Sequence, residues 1–375
     1  MGKSVSGFEK ALADHLPLKK KTEICRSIES KPMHTYVIAF NPGIADIVEK
    51  EVRQINPVAL ISDFYEMQGW LKVSKVALEE LFHVQSIEKI IELKAAFKFD
   101  KTLDDLEARA ARTEIPELTN AKSFRVSTRR YGNHDFGSNE VQVVAGNAFQ
   151  QNYGTAVSLK DYEVHLRVDI MGKFAFIGIQ YTSEKYWKRF NFEQYHRAGI
   201  KPAMAYALLT LADVQPGETI LDPFTGSGTI PIQAASMYKS SVTIMGGDLY
   251  DDVIASADAN AELNNLGPYI ESRQMNVFEL DSYVTGPIDK IVTNPPYGVK
   301  SATKSNMRKL YRAFIVKAAM LLREEGKMVV MLQRSDMFRQ IVSRTKLFKI
   351  IEERVVESGS LHPHIFVLGK IDEPE

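Results

Sequence analysis

Residues 219–235 read TILDPFTGSGTIPIQAA. A short apolar run ends on Asp222, Gly226 and Gly228 follow, and an apolar stretch without further glycine comes next. That pattern is a strand, a glycine-rich turn and the start of a helix. Two glycines let the backbone come close to a ligand, and a helix N-terminus there favours an anion. A dinucleotide-binding turn needs a third glycine for close helix packing, and Pro231 stands in its place. Proline suits the first turn of a helix but argues against a pyrophosphate site. The turn is also compatible with a purely structural role, so the neighbouring strands must decide.

From Ala203 onward, short apolar strand candidates (TILD, SVTIMGG, IVTN, KMVVML) alternate with helical stretches. This order predicts a doubly wound, mainly parallel α/β sheet, which binds ligands beyond the carboxyl ends of its strands. FKIIEERVVESG and HIFVLGK have no helix between them and predict a closing antiparallel hairpin. Asp248 ends the second strand, where an acid accepts hydrogen bonds from both ribose hydroxyls. It could instead cap the following helix, a role open to Asp251 and Asp252 as well. A nucleoside bearing a small anion and no pyrophosphate suits the glycine turn and Asp248 together, and S-adenosyl-L-methionine has that form.

Residues 289–300, DKIVTNPPYGVK, end the IVTN parallel strand beside the same crevice. Pro295 and Pro296 stiffen the chain and remove two N–H donors. The Asn294 amide oxygen and nearby carbonyls are left as acceptors, and Tyr297 adds a flat ring. These groups suit a planar base with an exocyclic amine: the amine donates to the acceptors, the ring stacks, and the nitrogen lone pair is aimed at a methyl group. Asn294 is no general base, so positioning carries most of the catalysis. A base inside a duplex must be flipped or unpaired to reach such a pocket. An ordinary turn at a strand end is the bland alternative. Beyond it, Lys300, Lys304, Arg308, Lys309 and Arg312 follow without an intervening acid. They could neutralise phosphates or simply form a solvated face.

A chain of 375 residues calls for two or three domains. Its zero formal charge gives no global basic field, so a nucleic-acid partner would need local patches. The single Cys25 excludes an internal disulfide and a cysteine-rich zinc site. No metal site is expected; His362 and His364 read as turn and strand residues. No apolar run suits a membrane span and no signal peptide is evident, so a cytoplasmic protein is expected. We expect a polar tail over residues 1–33, a ferredoxin-like α+β unit over 34–118, a second α+β unit over 119–182, a linker over 183–202 and the doubly wound domain over 203–375. In the second unit, SFRVSTRRYG is expected to be one strand, with Arg125 and Arg129 on one face. SNEVQVVAGNAFQQNYG is expected to be a helix capped by Ser138 and closed by Gly154, and a hairpin is expected to turn at Met171–Gly172.

The turn at Gly226, Asp248 and the NPPY tetrapeptide resemble the class I S-adenosylmethionine-dependent methyltransferases that modify exocyclic amines. SFRVSTRRYGNHDFGSNEVQVVAGNAF and VHLRVDIMGKFAFIGIQ resemble a THUMP domain, an RNA-binding module that recognises the acceptor end of tRNA. YVIAFNPGIADIVEKEV resembles the ferredoxin-like domain preceding it, and YHRAGIKPAMAYALLTLA the segment joining it to the methyltransferase domain. The motif order over residues 34–370 resembles the tRNA guanine-N2 methyltransferases acting on guanosine 6 of the acceptor stem.

That resemblance implies that Asp222, Thr225, Gly226, Ser227 and Gly228 hold the methionine part of the cofactor. Asp248, with Leu249 beside it, would take the ribose, and Asn276 and Val277 would flank the adenine. Many relatives carry Asp where this chain has Asn276. His196 and Ala198 would close the cofactor pocket. Asn294, Pro295, Pro296 and Tyr297 would hold the target guanine. Arg125, Arg129, Arg130, Lys300, Lys304 and Arg308 are candidate tRNA contacts. Ribosomal RNA guanine-N2, tRNA guanosine 10 and adenine-N6 remain alternative targets. A glutamine-N5 protein methyltransferase is disfavoured by the THUMP-like half. An RNA-binding protein with an inactive methyltransferase fold is the non-enzymatic alternative.

Overall fold

The computed structural model describes residues 34–193, 199–284, 286–298, 304–359 and 361–371. The expected tail over 1–33, His196, Ala198, Lys300 and the side chain of Lys304 lie outside the described residues.

The first four strands are β1 (Thr35–Ala39), β2 (Leu60–Asp63), β3 (Trp70–Ser74) and β4 (Lys89–Lys98). They lie in the order β2-β3-β1-β4 with antiparallel neighbours, the ferredoxin-like arrangement. The Asn41-Pro42-Gly43 turn, with Gly43 at φ 98°, opens the helix Ala45–Ile55. That helix buries Ile47, Val48 and Val52, and also Glu51. The buried carboxylate is satisfied: it accepts hydrogen bonds from the Gln85 and Ser86 backbones and the Ser86 hydroxyl at 2.6–2.9 Å.

Five more strands extend the same sheet: β5 (Ser123–Ser127), β6 (Arg130–Tyr131), β7 (Ala156–Val157), β8 (Val164–Met171) and β9 (Phe174–Gln180). β4 pairs with β9 from Ile91↔Gln180 to Lys98↔Phe174, so one nine-stranded sheet runs through both α+β units. Helices Leu103–Arg112 and Ser138–Tyr153 supply Leu106, Ala110, Val141 and Phe149 to a core on one face of β5, β8 and β9.

Three local expectations change. SFRVSTRRYG is two strands, because the Asp169 carboxylate takes the Arg129 backbone N–H at 2.5 Å and the ladder is interrupted there. Arg125 and Arg129 therefore do not share a face by simple alternation. The helix cap is Gly137, whose N–H is taken by the Glu140 carboxylate at 2.7 Å, and Ser138 is the first helical residue. Gly154, at φ 69°, closes that helix as expected. The hairpin turns one residue later, at Gly172–Lys173, with Gly172 at φ 59°.

The second sheet holds β10 (Thr219–Asp222), β11 (Thr243–Asp248), β12 (Glu271–Gln274), β13 (Ile288–Thr293), β14 (Leu322–Leu332), β15 (Phe348–Val355) and β16 (His364–Lys370). Their order is β12-β11-β10-β13-β14-β16-β15, parallel from β12 to β14 and antiparallel through the closing hairpin. This is the expected doubly wound sheet, and its direction of winding reverses between β10 and β13.

One hydrophobic core spans both halves. Val48 and Val52 belong to the same cluster as Met204, Leu208 and Ala235. Polar contacts pin its rim: Asn41 Nδ2 donates to the Glu357 carbonyl, Arg354 pairs with Asp46, and Arg189 Nη2 donates to the Val84 and Ile87 carbonyls. The N-terminal sheet is thus held in a fixed pose against the doubly wound sheet.

Candidate active site

The site grows from three loops on one edge of the second sheet. β10 pairs in parallel with both β11 and β13, so Asp222, Asp248 and Asn294 leave the sheet on the same side. The glycine turn follows Asp222. Gly226 has φ 51° and Gly228 φ 85°, values that favour residues without a Cβ. A Cβ on Gly226 would point into open space, whereas one on Gly228 would press at 3.3 Å on Ala257 and Ile232. Gly226 keeps the floor of the crevice clear, and Gly228 lets the helix Thr229–Tyr238 pack closely against its neighbour. Thr225 N–H donates to the Gly247 carbonyl at 2.8 Å and Gly226 N–H to Asp248 Oδ2 at 3.1 Å, which locks the turn onto β11.

Asp222 is fully buried. Thr293 Oγ1 donates to Asp222 Oδ1 at 2.5 Å, and Phe224 N–H donates at 3.2 Å. Burial pushes the Asp222 carboxyl up to about 7; the two hydrogen bonds oppose that rise and the nearby Asp248 charge adds to it. A cationic group arriving beside Asp222 would favour its ionised form. The Thr225 hydroxyl is buried with no partner among the described residues. An orphaned hydroxyl, a buried acid awaiting a cation, a cleared turn and Asp248 fit S-adenosyl-L-methionine. Leu249, half exposed, lies next to Asp248 and offers an apolar contact. Asn276 accepts the Phe278 N–H at 3.1 Å and so caps a short turn, while Val277 is buried behind it.

The NPPY loop is held from two further elements that sequence reasoning did not single out. Tyr311, on the helix Lys304–Leu321, donates its hydroxyl to the Pro296 carbonyl at 2.8 Å. Arg334, just past β14, donates Nε to the Tyr297 carbonyl at 2.8 Å. The Tyr297 hydroxyl donates to Asn294 Oδ1 at 2.7 Å. Burial raises the Tyr297 pKa, so this phenol stays a donor at any physiological pH. Among the described residues, Tyr297 is the one donor that engages the Asn294 oxygen, and none engages the Pro295 carbonyl. One lone pair of the amide and the prolyl carbonyl thus remain as an acceptor pair. Thr293, Tyr311 and Arg334 escaped sequence reading because each acts through a partner 15 to 71 residues away.

The candidate RNA contacts divide into two places. Arg308 reaches Gln340 at 3.3 Å on the rim near the NPPY loop. The others lie on the N-terminal sheet. Arg125 and His165 are register partners on β5 and β8, and Arg125 lies over the Tyr162 ring at 5.8 Å. Arg129 lies over the Tyr131 ring at 4.8 Å, and Arg130 Nη1 bonds the Gly132 carbonyl at 3.1 Å. Arg130 also lines a polar basin of about 360 Å³ with Lys101, Asn133 and His134. Burial first, then the nearby cations Arg167 and Arg125, hold His165 down at about 3. Lys89 is held down at about 8 by burial and then by Arg167. Burial is the larger cause in both, and the cations add to it, while Asp169 and Glu88 oppose it at Lys89. Among the described residues, no group of three or more His, Cys, Asp or Glu is placed to hold a metal ion. No described helix is long and apolar enough to cross a membrane.

Residues 100–180 match the THUMP domain model, and residues 189–363 match the RMKL-like methyltransferase domain model. A Thermus thermophilus protein, tRNA (guanine(6)-N2)-methyltransferase, is 32% identical over 334 residues, covering 88% of this chain and 98% of that protein. An Archaeoglobus fulgidus protein of the same name is 27% identical over 370 residues, covering 88% and 91%. The crystal structure of TrmN from Thermus thermophilus superposes with a TM-score of 0.79 at 31% identity, covering 91% of this chain and all of that one.

Proposed function

The chain belongs to the THUMP-domain tRNA guanine-N2 methyltransferase family, and we propose that it methylates N2 of guanosine 6 in the tRNA acceptor stem, in the reducing cytosol. S-adenosyl-L-methionine is its cofactor and, when bound, supplies an electrophilic methyl group. The observation that carries this reading is the Thr293–Asp222 hydrogen bond at 2.5 Å, which ties the base cradle to the cofactor turn on one sheet edge.

The chain's own residues then do the following. Asp222 and the Thr225–Gly228 turn hold the methionine part, and Asp248 holds the ribose. Asn294 Oδ1 and the Pro295 carbonyl accept the two hydrogens of the guanine amine. That pairing turns the nitrogen lone pair out of conjugation and toward the methyl group. Tyr297 stacks on the base, which keeps the reacting atoms in line. Among the described residues, no side chain in the cradle is placed as a base, so the proton leaves only after the amine has become cationic. Arg125, Arg129 and Arg130 engage the acceptor end, which must be unpaired at the target to reach the cradle. The names of the relatives support position 6.

The test is transfer of labelled methyl groups to an unmodified tRNA transcript, followed by nucleoside analysis. The label should appear as N2-methylguanosine and vanish when the 6–67 pair is changed so that position 6 is adenosine. Label in another nucleoside, or undiminished label after that change, would refute the proposal.

A further inference from the structure

One acceptor near the cradle is not used by any of these roles. Gln333 is the first residue after β14, and its amide oxygen is buried with no hydrogen-bond partner among the described residues. A buried acceptor left without a donor is destabilising, so it needs an explanation, and a donor on a bound ligand is one.

The placement of Gln333 follows from strand register. β13 and β14 are parallel neighbours with Thr293 opposite Val330, which brings Asn294 beside Met331 one step further on. Val292, Val329 and Met331 face one core, whereas Ile291, Val330 and Leu332 face the other. Alternation therefore carries Asn294 and Gln333 to the same face, at the C-terminal ends of adjacent strands. The next residue fixes the proximity. Arg334 Nε donates to the Tyr297 carbonyl at 2.8 Å, so the Gln333–Arg334 pair is stitched onto the NPPY loop.

Guanine presents two donors side by side, the N2 amine and the N1–H. With the amine on Asn294 and Pro295, the N1–H faces the next acceptor along that edge. We infer that Gln333 is a specificity residue whose amide oxygen accepts the guanine N1–H. Adenine carries a lone pair at N1, which would meet the amide oxygen acceptor to acceptor and leave both unpaired. The cradle alone cannot make this distinction, because any exocyclic amine satisfies it. This inference rests on the guanine-N2 reading and adds the group that selects guanine.

The experiment compares guanine with 2-aminopurine at the target position of otherwise identical tRNA, assembled by ligation. 2-Aminopurine keeps the 2-amino group but has a lone pair at N1. The wild type should favour guanine by on the order of 10⁴-fold in kcat/KM, the scale at which a site built to bind a donor rejects the analogue lacking it. Gln333→Met removes the acceptor at similar volume and should shrink that ratio at least tenfold, mainly by lowering kcat/KM on guanine. Cofactor affinity should stay unchanged. If Gln333→Met loses cofactor binding, Gln333→Glu takes over the test: it keeps the acceptor and should keep the wild-type ratio, and loss of the ratio in a cofactor-binding Gln333→Glu protein would overturn the inference. Efficient wild-type transfer to guanine with the same ratio in wild type and Gln333→Met would overturn the Gln333 role alone. No wild-type transfer to guanine would overturn the guanine-N2 reading and this role with it.

Discussion

Thr293→Val should weaken cofactor binding and move its pH dependence upward. The residue never touches the crevice; it is fully buried and acts by donating to Asp222 at 2.5 Å. In the free protein the Asp222 carboxyl sits at about 7, raised mainly by burial. A cationic methionine ammonium beside it favours the carboxylate, so binding releases a proton wherever the free protein holds it. For the wild type, affinity should rise with pH up to about 7 and fall again as the ligand's own ammonium loses its proton at about pH 8. A hydrogen bond to a charged acceptor is worth about 1.5–3 kcal/mol. Its loss lifts the carboxyl by about 1–2 units, at 1.36 kcal/mol per unit. The rise then extends beyond about pH 7 into the range where the ligand ammonium titrates, and affinity at pH 7 falls roughly 5- to 50-fold. Calorimetric titration with S-adenosyl-L-methionine from pH 6 to 9, in two buffers of different ionisation enthalpy, reads both affinity and proton release. A Thr293→Val protein with the wild-type pH profile and proton count would refute the coupling between cradle and cofactor turn.

Asn294→Ala should reduce methyl transfer at least ~100-fold while leaving the cofactor dissociation constant within about twofold, since Asn294 lies on the base side of the crevice; calorimetry and single-turnover transfer separate the two. Tyr311→Phe removes the neutral hydrogen bond to the Pro296 carbonyl, worth about 1 kcal/mol, and should lower kcat/KM about fivefold with cofactor affinity intact; an unchanged kcat/KM would remove Tyr311 from loop positioning. Gly43→Ala should lower the Tm by several degrees. Gly43 has φ 98°, and its added Cβ would lie 2.2 Å from the Val355 carbonyl oxygen, so the two halves must separate at that seam. A thermal melt equal to wild type would show that the seam yields freely.

The doubly wound sheet was legible because its signals are local. TILD, SVTIMGG and IVTN each end on a residue that the chain punctuates with glycine or proline, and parallel pairing then brings Asp222, Asp248 and Asn294 to one edge. The ferredoxin-like unit was legible from its alternation of strands and helices. What escaped were long-range pairings. Nothing in KIIELKAAFK or FAFIGIQ announces that β4 and β9 join two units into one sheet, because alternation shows which face of a strand is buried but not which strand it pairs with. The break in SFRVSTRRYG depends on Asp169, which lies 40 residues downstream of Arg129. Gly137 displaced Ser138 as the cap because Glu140 could reach the Gly137 N–H. The supports of the base cradle, Tyr311 and Arg334, belong to no local motif: each acts on the NPPY loop from 15 or 37 residues away in the chain.

The central claim is that the cradle at Asn294 accepts an exocyclic amine of guanine. The most direct test places inosine, which differs from guanosine only in lacking that amine, at position 6 of the tRNA substrate. Methyl transfer should fall to background while the inosine tRNA still binds with near wild-type affinity. Undiminished transfer to the inosine-containing tRNA would contradict the account.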